Sequence, residues 1–255
     1  MFEVFDHEVR LAFIDERPAL SGRDEPILLI HGFASTHAVN WVFPQWIKTL
    51  TGAGRRVVAF DNRGHGRSER LHDPAAYAMQ KMVEDARAVL DHLGIETADV
   101  MGYSMGARIA AFFAKEHASR VRSLILGGLG HHLVDRAGLP LAIAEAMEAP
   151  SLAGLADPMQ RRFRAFAEAT KSDLKALAAC ARGARQVMSE TEAGEIDVPV
   201  LIAAGTKDDV AGDPHELAAL FRRARAVDIP GRDHNRAVGD TVYKESVLEF
   251  LDQRP

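Results

Sequence analysis

A chain of 255 residues, 47% of them apolar, is long enough to bury a large core within one α/β domain. Its formal charge of −5 supplies no basic field for nucleic acid, and a single cysteine, Cys180, excludes an internal disulfide framework or a cysteine-built metal cluster. No apolar run is long enough to span a bilayer, and Met1-Phe2-Glu3 is acidic early where a secretion signal would be basic and then apolar, so a cytoplasmic protein without a membrane partner is expected.

The alternation from Phe2 to Ile14 around Asp6-His7 predicts an antiparallel hairpin at a sheet edge. Pro26 to Ile30 is a continuous apolar run, as in a strand buried on both faces, and it ends at His31-Gly32-Phe33. A helix interrupted early by Pro44 is expected over Trp41 to Leu50, then a strand over Arg56 to Phe60 and a polar, glycine-punctuated loop, Asp61-Asn62-Arg63-Gly64-His65-Gly66-Arg67-Ser68. Met79, Met82, Val83, Ala86, Val89, Leu90 and Leu93 fall at helical spacing within Tyr77 to Leu93, and Gly94 is placed as the C-cap.

Ala98 to Tyr103 reads as a strand and Met105 to His117 as a helix, with Ser104 at the junction. So sharp a turn strains the central backbone and crowds positions two residues either side, which makes Gly102 and Gly106 a steric requirement and raises the Ser104 hydroxyl at a helix N-terminus. A glycine-rich turn with an idle serine would show the same string, so its weight depends on partners elsewhere.

Arg122 to Gly128 is the next strand, and the β–α alternation to this point implies a parallel sheet with helices on both faces. From Leu129 to Asp197 the pattern is helical, and two helices are marked: one capped by Asp157-Pro158 with Met159, Phe163, Phe166 and Thr170 on one face, the other carrying Leu174, Leu177, Ala178 and Ala181. Residues 129–197 are therefore expected to form a helical lid inserted into a core domain of residues 1–128 and 198–255. The sheet resumes over Val198 to Ala204 and Ala226 to Ile229; between them Asp213-Pro214-His215-Glu216 reads as a capping box opening a helix to Phe221, and Val238 to Leu251 closes the chain as an amphipathic helix.

A serine needs a base to accept its proton and an acid to orient that base, all off one edge of the sheet. Ser104, Asp208 and His234 each follow a predicted strand, in the order nucleophile, acid, histidine. Asp209 and Asp135 remain competing acids, with the Gly-x-x-Asp spacing from Gly205 favouring Asp208.

That order, with the Gly102-x-Ser104-x-Gly106 elbow, the His31-Gly32-Phe33 turn, the Asp61-to-Ser68 loop and the Pro230-Gly231-x-x-His234 turn, resembles the α/β-hydrolase family from the first hairpin to the last helix. Ala107, where relatives often carry glycine, and the polar pair Arg232-Asp233 before His234 depart from the pattern. The resemblance implies an α/β-hydrolase fold of about eight mostly parallel strands, with Ser104, His234 and Asp208 as a catalytic triad. It also implies an oxyanion hole from the backbone N–H groups of Phe33 and Met105, where loss of one donor costs about 2.7–4 kcal/mol. His31 and His65 are structural by the same resemblance.

Phe33, Trp41, Arg108, His131, Phe163 and Phe166 are the candidate substrate contacts, with Met188 as a further wall, although apolar residues at such spacing equally describe plain core. Arg108 is placed to reach a substrate carboxylate, with a surface or ion-paired arginine as the alternative. Arg161, Arg162, Arg164, Arg182 and Arg185 suggest an anionic substrate or simply a solvated helix face. No His-x-x-x-His or Glu-flanked helical pair appears, so no metal or other cofactor is expected.

Family members that displace halide or open epoxides carry a carboxylate at the elbow, and a serine there points to acyl transfer instead. The expected activity is cleavage of a small or medium carboxylic ester by a monomer or homodimer. A C–C bond hydrolase, enol-lactonase or thioesterase, or a ligand-binding protein on a hydrolase scaffold, are the alternatives.

Overall fold

Eight short runs of apolar and β-branched residues pair into one sheet in the computed structural model, which describes residues 2–18 and 25–254; Met1, part of the leader reading, lies outside them. The strands are β1 (Phe2–Asp6), β2 (Arg10–Glu16), β3 (Pro26–Ile30), β4 (Arg56–Phe60), β5 (Ala98–Tyr103), β6 (Val121–Gly127), β7 (Val200–Gly205) and β8 (Ala224–Ile229). Their spatial order is β1-β2-β4-β3-β5-β6-β7-β8, antiparallel at β1–β2 and β2–β4 and parallel elsewhere. Register aligns Ile30 with Gly102, Tyr103 with Gly127, Gly127 with Ala203 and Gly205 with Ile229. The loops leaving β3, β5, β6, β7 and β8 therefore open along one edge, where ligands gather in parallel α/β sheets.

Eleven α-helices are present among the described residues: α1 (Trp46–Gly52), α2 (Met79–His92), α3 (Met105–Glu116), α4 (His132–Asp135), α5 (Leu141–Glu148), α6 (Pro158–Ala169), α7 (Leu174–Gly183), α8 (Glu190–Glu195), α9 (Pro214–Ala218), α10 (His234–Ala237) and α11 (Thr241–Gln253). Alternate residues of the central strands serve opposite faces of the sheet. Leu28, Ile30, Val58 and Val100 join a core with α2 and α3, whereas Ile27, Leu29, Val57 and Met101 join one with α1 and α11. Period-two burial on both faces explains why these strands read as unbroken apolar runs.

Most predicted elements are present, with α2 followed by Gly94 at φ +62°. The expected helix over Trp41 to Leu50 is instead a π turn at Ala38–Val42 and a separate α1, because Pro44 and a left-handed Gln45 at φ +67° interrupt it. The helix expected to reach Phe221 stops at Ala218. Asp213 caps it by accepting from the His215 and Glu216 N–H groups, whereas a reciprocal capping box occurs at Ser189 and Glu192. The closing helix begins at Thr241, capped by Asp240.

Between β6 and β7 the chain forms five α-helices, α4 to α8, and a 3-10 turn at Leu152–Gly154, rather than the two helices that periodicity marks. The additional ones are short and separated by Gly138-Leu139-Pro140 and Ala149-Pro150, so none repeats an apolar stripe long enough to announce itself. No helix among the described residues is long and apolar enough to cross a membrane.

Candidate active site

The turn between β5 and α3 holds Ser104 at φ +57°, ψ −116°, a conformation that costs about 1–3 kcal/mol for a non-glycine residue. Close backbone packing fixes it. A methyl group on Gly102 would sit 2.1 Å from the Gly106 carbonyl oxygen, and one on Gly106 would sit 2.0 Å from that of Ile30 in β3. Gly106→Ala is therefore expected to lower stability by about 3 kcal/mol, as over-packing against immovable backbone does, and thermal unfolding measures it.

The loop after β8 brings His234 to this turn. Its Nε2 lies 2.9 Å from Ser104 Oγ and its Nδ1 lies 2.8 Å from Asp208 Oδ2, on the loop after β7. Because a carboxylate only accepts, Nδ1 carries the proton given to Asp208 and Nε2 is left to accept from Ser104. The Asp208 Oδ1 atom accepts from the Val210 and Ala211 N–H groups at 2.9 and 3.0 Å, which fixes the carboxylate plane. Asp209 turns away and pairs with Arg162 of α6 at 3.0 and 3.1 Å, while Asp135 lies outside the series.

Tyr103, which the sequence reading did not single out, also holds the histidine. Its hydroxyl donates to the His234 carbonyl at 2.6 Å, and burial raises its phenol well above the ordinary value, so it remains a donor. Tyr103→Phe is expected to cost about 1 kcal/mol, a Tm decrease of about 2–4 °C, and to lower turnover as His234 loosens. Its place beside Ser104 was the only sequence signal, since its partner is 131 residues away.

The backbone N–H groups of Phe33 and Met105 find no acceptor among the described residues and follow neighbouring strands, β3 and β5. The Phe33 loop is held from behind: Asn40 Oδ1 accepts from the Gly32 N–H at 2.8 Å, and the Thr170 hydroxyl of the α6 C-terminus donates to the Ala34 carbonyl at 2.9 Å. His31 accepts from the Asn62 N–H at Nε2 and therefore donates from Nδ1 to the Gly32 carbonyl. Burial drives His31 down to about 3 and lowers His65 as well, so both are neutral bracing groups rather than proton carriers.

Two cavities meet at Ser104, with Phe33 between them. The smaller, about 70 Å³, is bordered by Met105, Arg108, Leu129, His132, Arg136 and Cys180, and no acidic side chain lines it. The larger, about 170 Å³, is bordered by Ser35, Val39, Phe163, Phe166, His234 and Val238. Cys180 is buried with its Sγ 3.7 Å from Met105 Sδ, and burial pushes its thiol up to about 12.

Several candidate contacts are corrected. Trp41 lines neither cavity; it is fully buried against Trp46 in the α1–α11 core. Met188 is likewise core. His131 lines neither cavity and points its Nδ1 towards Glu216 at 3.9 Å, while its neighbour His132 takes the place at the cavity wall. Arg108 does reach the smaller cavity and is buried; among the described residues no carboxylate lies within ion-pair distance of it, although Asp135 acts on it from further away. It donates to the carbonyls of His132, Leu133 and Gln186, and burial lowers its guanidinium to about 10. The five other arginines also have protein partners; Arg164, for example, is buried on the carbonyls of Ala146 and Ala149. No group of three or more His, Cys, Asp or Glu side chains among the described residues is set to hold a metal ion.

Known proteins agree with this architecture. A sequence model of the α/β hydrolase fold matches residues 25–141. The chain is 39% identical over 99 residues to epoxide hydrolase B of Mycobacterium tuberculosis, a match covering 39% of this chain and 27% of that protein. It is 40% identical over 133 residues to 2-hydroxymuconate semialdehyde hydrolase of Pseudomonas sp., covering 51% of this chain and 42% of that one. These alignments thus span less than half of either relative. In three dimensions the enol-lactonase of Burkholderia xenovorans superposes with a TM-score of 0.78 at 24% identity, covering 96% of this chain and 98% of the other.

Proposed function

Because this chain belongs to the α/β-hydrolase fold family, we propose that it is a serine hydrolase that cleaves a carboxylic ester of a small or medium-sized substrate through an acyl-enzyme. The observation that carries the reading is the unbroken series Ser104 Oγ, His234 Nε2, His234 Nδ1, Asp208 Oδ2, with contacts of 2.9 and 2.8 Å. In this reading Ser104 attacks the ester carbonyl as His234 takes its proton. Asp208 steadies the imidazolium, and the Phe33 and Met105 N–H groups receive the oxyanion. His234 returns the proton to the departing alcohol; water then enters by the reverse steps and releases the acid. The helices between β6 and β7 act as a lid, since α6 supplies Phe163 and Phe166 to the larger cavity and is tied to the core by Arg162 with Asp209 and by Thr170 with Ala34.

A serine at the elbow sets this chain apart from epoxide opening, despite its likeness to epoxide hydrolase B, because that chemistry within the family uses a carboxylate nucleophile. A second reading, hydrolysis of a C–C bond or an enol-lactone in an acidic substrate, is favoured by one observation. The smaller cavity carries Arg108, Arg136 and His132 with no acid among its lining residues. The likenesses to 2-hydroxymuconate semialdehyde hydrolase and to an enol-lactonase accord with it. The test is a panel of esters, thioesters, lactones and carboxylated dienones, run alongside labelling by a fluorophosphonate. Ester turnover with Ser104 labelled is the expected result; labelling with dienone turnover alone moves the assignment to the second reading. Folded protein that neither labels nor turns over any member is a binding protein on this scaffold.

A further inference from the structure

The larger cavity is bordered by a residue whose buried hydroxyl ester cleavage, as described, leaves unused. Ser35 lies on the loop after β3, is 2% exposed and lines this cavity, and its Oγ meets no hydrogen-bond partner among the described residues. Several other polar atoms bordering the cavity are engaged: Asn40 Oδ1 by the Gly32 N–H, the Tyr103 hydroxyl by the His234 carbonyl, and Arg162 by Asp209. Asn235 stands exposed at the surface. A buried hydroxyl among Val39, Pro44, Phe163 and Phe166 is costly when left unpaired, and such groups ordinarily have a partner.

The position of the base says what that partner is. His234 borders the larger cavity and not the smaller one, and in acyl transfer the proton on its Nε2 goes to the departing oxygen. The departing alcohol therefore occupies the larger cavity, whose 170 Å³ is close to the ~150 Å³ that holds a benzene ring in an engineered apolar cavity. We propose that Ser35 is a specificity-determining residue that hydrogen-bonds a second oxygen or nitrogen on the departing alcohol. The preferred substrates are then esters of small alcohols that carry a further hydroxyl or an equivalent polar group. This rests on the ester-hydrolase reading.

The experiment compares matched propanoate esters: benzyl with 3-hydroxybenzyl, and propyl with 2-hydroxyethyl. Wild type is expected to favour the hydroxylated member of each pair by roughly tenfold in kcat/KM, the scale of one hydrogen bond between neutral groups. Ser35→Ala should bring both ratios towards one, while Ser35→Thr, which keeps the hydroxyl, retains them. Ser35→Ala should also melt no lower than wild type, since the hydroxyl it removes has no partner within the protein. Equal rates within the pairs for wild type, ratios that survive Ser35→Ala, or a lowered melting temperature would each overturn the proposal. If no ester turns over, protection of Ser104 from a fluorophosphonate by the free alcohols gives an independent readout. A Ser35-dependent advantage for the hydroxylated alcohols then retains the Ser35 assignment while the esterase reading fails, and no advantage removes both.

Discussion

Ser104→Ala is expected to lower kcat for ester cleavage on the order of 10⁶-fold while leaving the fold and the binding of product acids intact. The methyl group fits where the hydroxymethyl sits and keeps the backbone donors at Phe33 and Met105, so a residue of rate above that in water should persist through the oxyanion contacts alone. Steady-state kinetics on protein free of contaminating esterase, paired with circular dichroism, measures this. Retention of even a hundredth of the wild-type rate would mean that another group attacks the carbonyl. The Tyr103 hydroxyl, which borders the larger cavity, is committed to the His234 carbonyl, and the nearby thiol of Cys180 is held protonated by burial. Neither offers a ready substitute, which is why the expected loss is so large.

The sheet was legible because its strands are buried on both faces and so appear as unbroken apolar runs, such as Ile27 to Ile30 and Val57 to Phe60. The elbow was legible for a different reason: Gly102 and Gly106 approach backbone atoms of α3 and β3 too closely to carry any side chain, and that constraint leaves a fixed spacing in the sequence. The cavity walls left no such mark. Trp41 and Phe163 are both aromatic residues on predicted helices, yet one is sealed against Trp46 and the other borders the larger cavity, because the turn at Pro44 and Gln45 redirects the first. His131 and His132 differ by one position at the start of α4, a short turn whose phase no periodicity defines. Arg108 was placed on the correct helix, but its carbonyl partners lie on segments that pattern reading could not position.

The choice between Asp208 and Asp209 has the next largest consequence. Asp208→Asn is expected to lower kcat by about 10⁴-fold with little change in KM, the scale seen when a triad acid becomes an amide and the imidazole takes the wrong tautomer. The physical reason is local. Asp208 spends one oxygen on the Val210 and Ala211 N–H groups, so an asparagine would keep its carbonyl there and turn its amide towards His234 Nδ1. Nδ1 would then have to accept, the ring proton would move to Nε2, and Ser104 would face a donor instead of a base. Asp209→Asn removes only an exposed pair with Arg162 and should change kcat less than tenfold. Both variants are to be assayed under identical conditions, with circular dichroism and thermal unfolding to establish that each is folded. The reverse ranking, with the larger loss at Asp209, would show that the β7 loop rearranges on substrate binding and that the acid was assigned to the wrong residue.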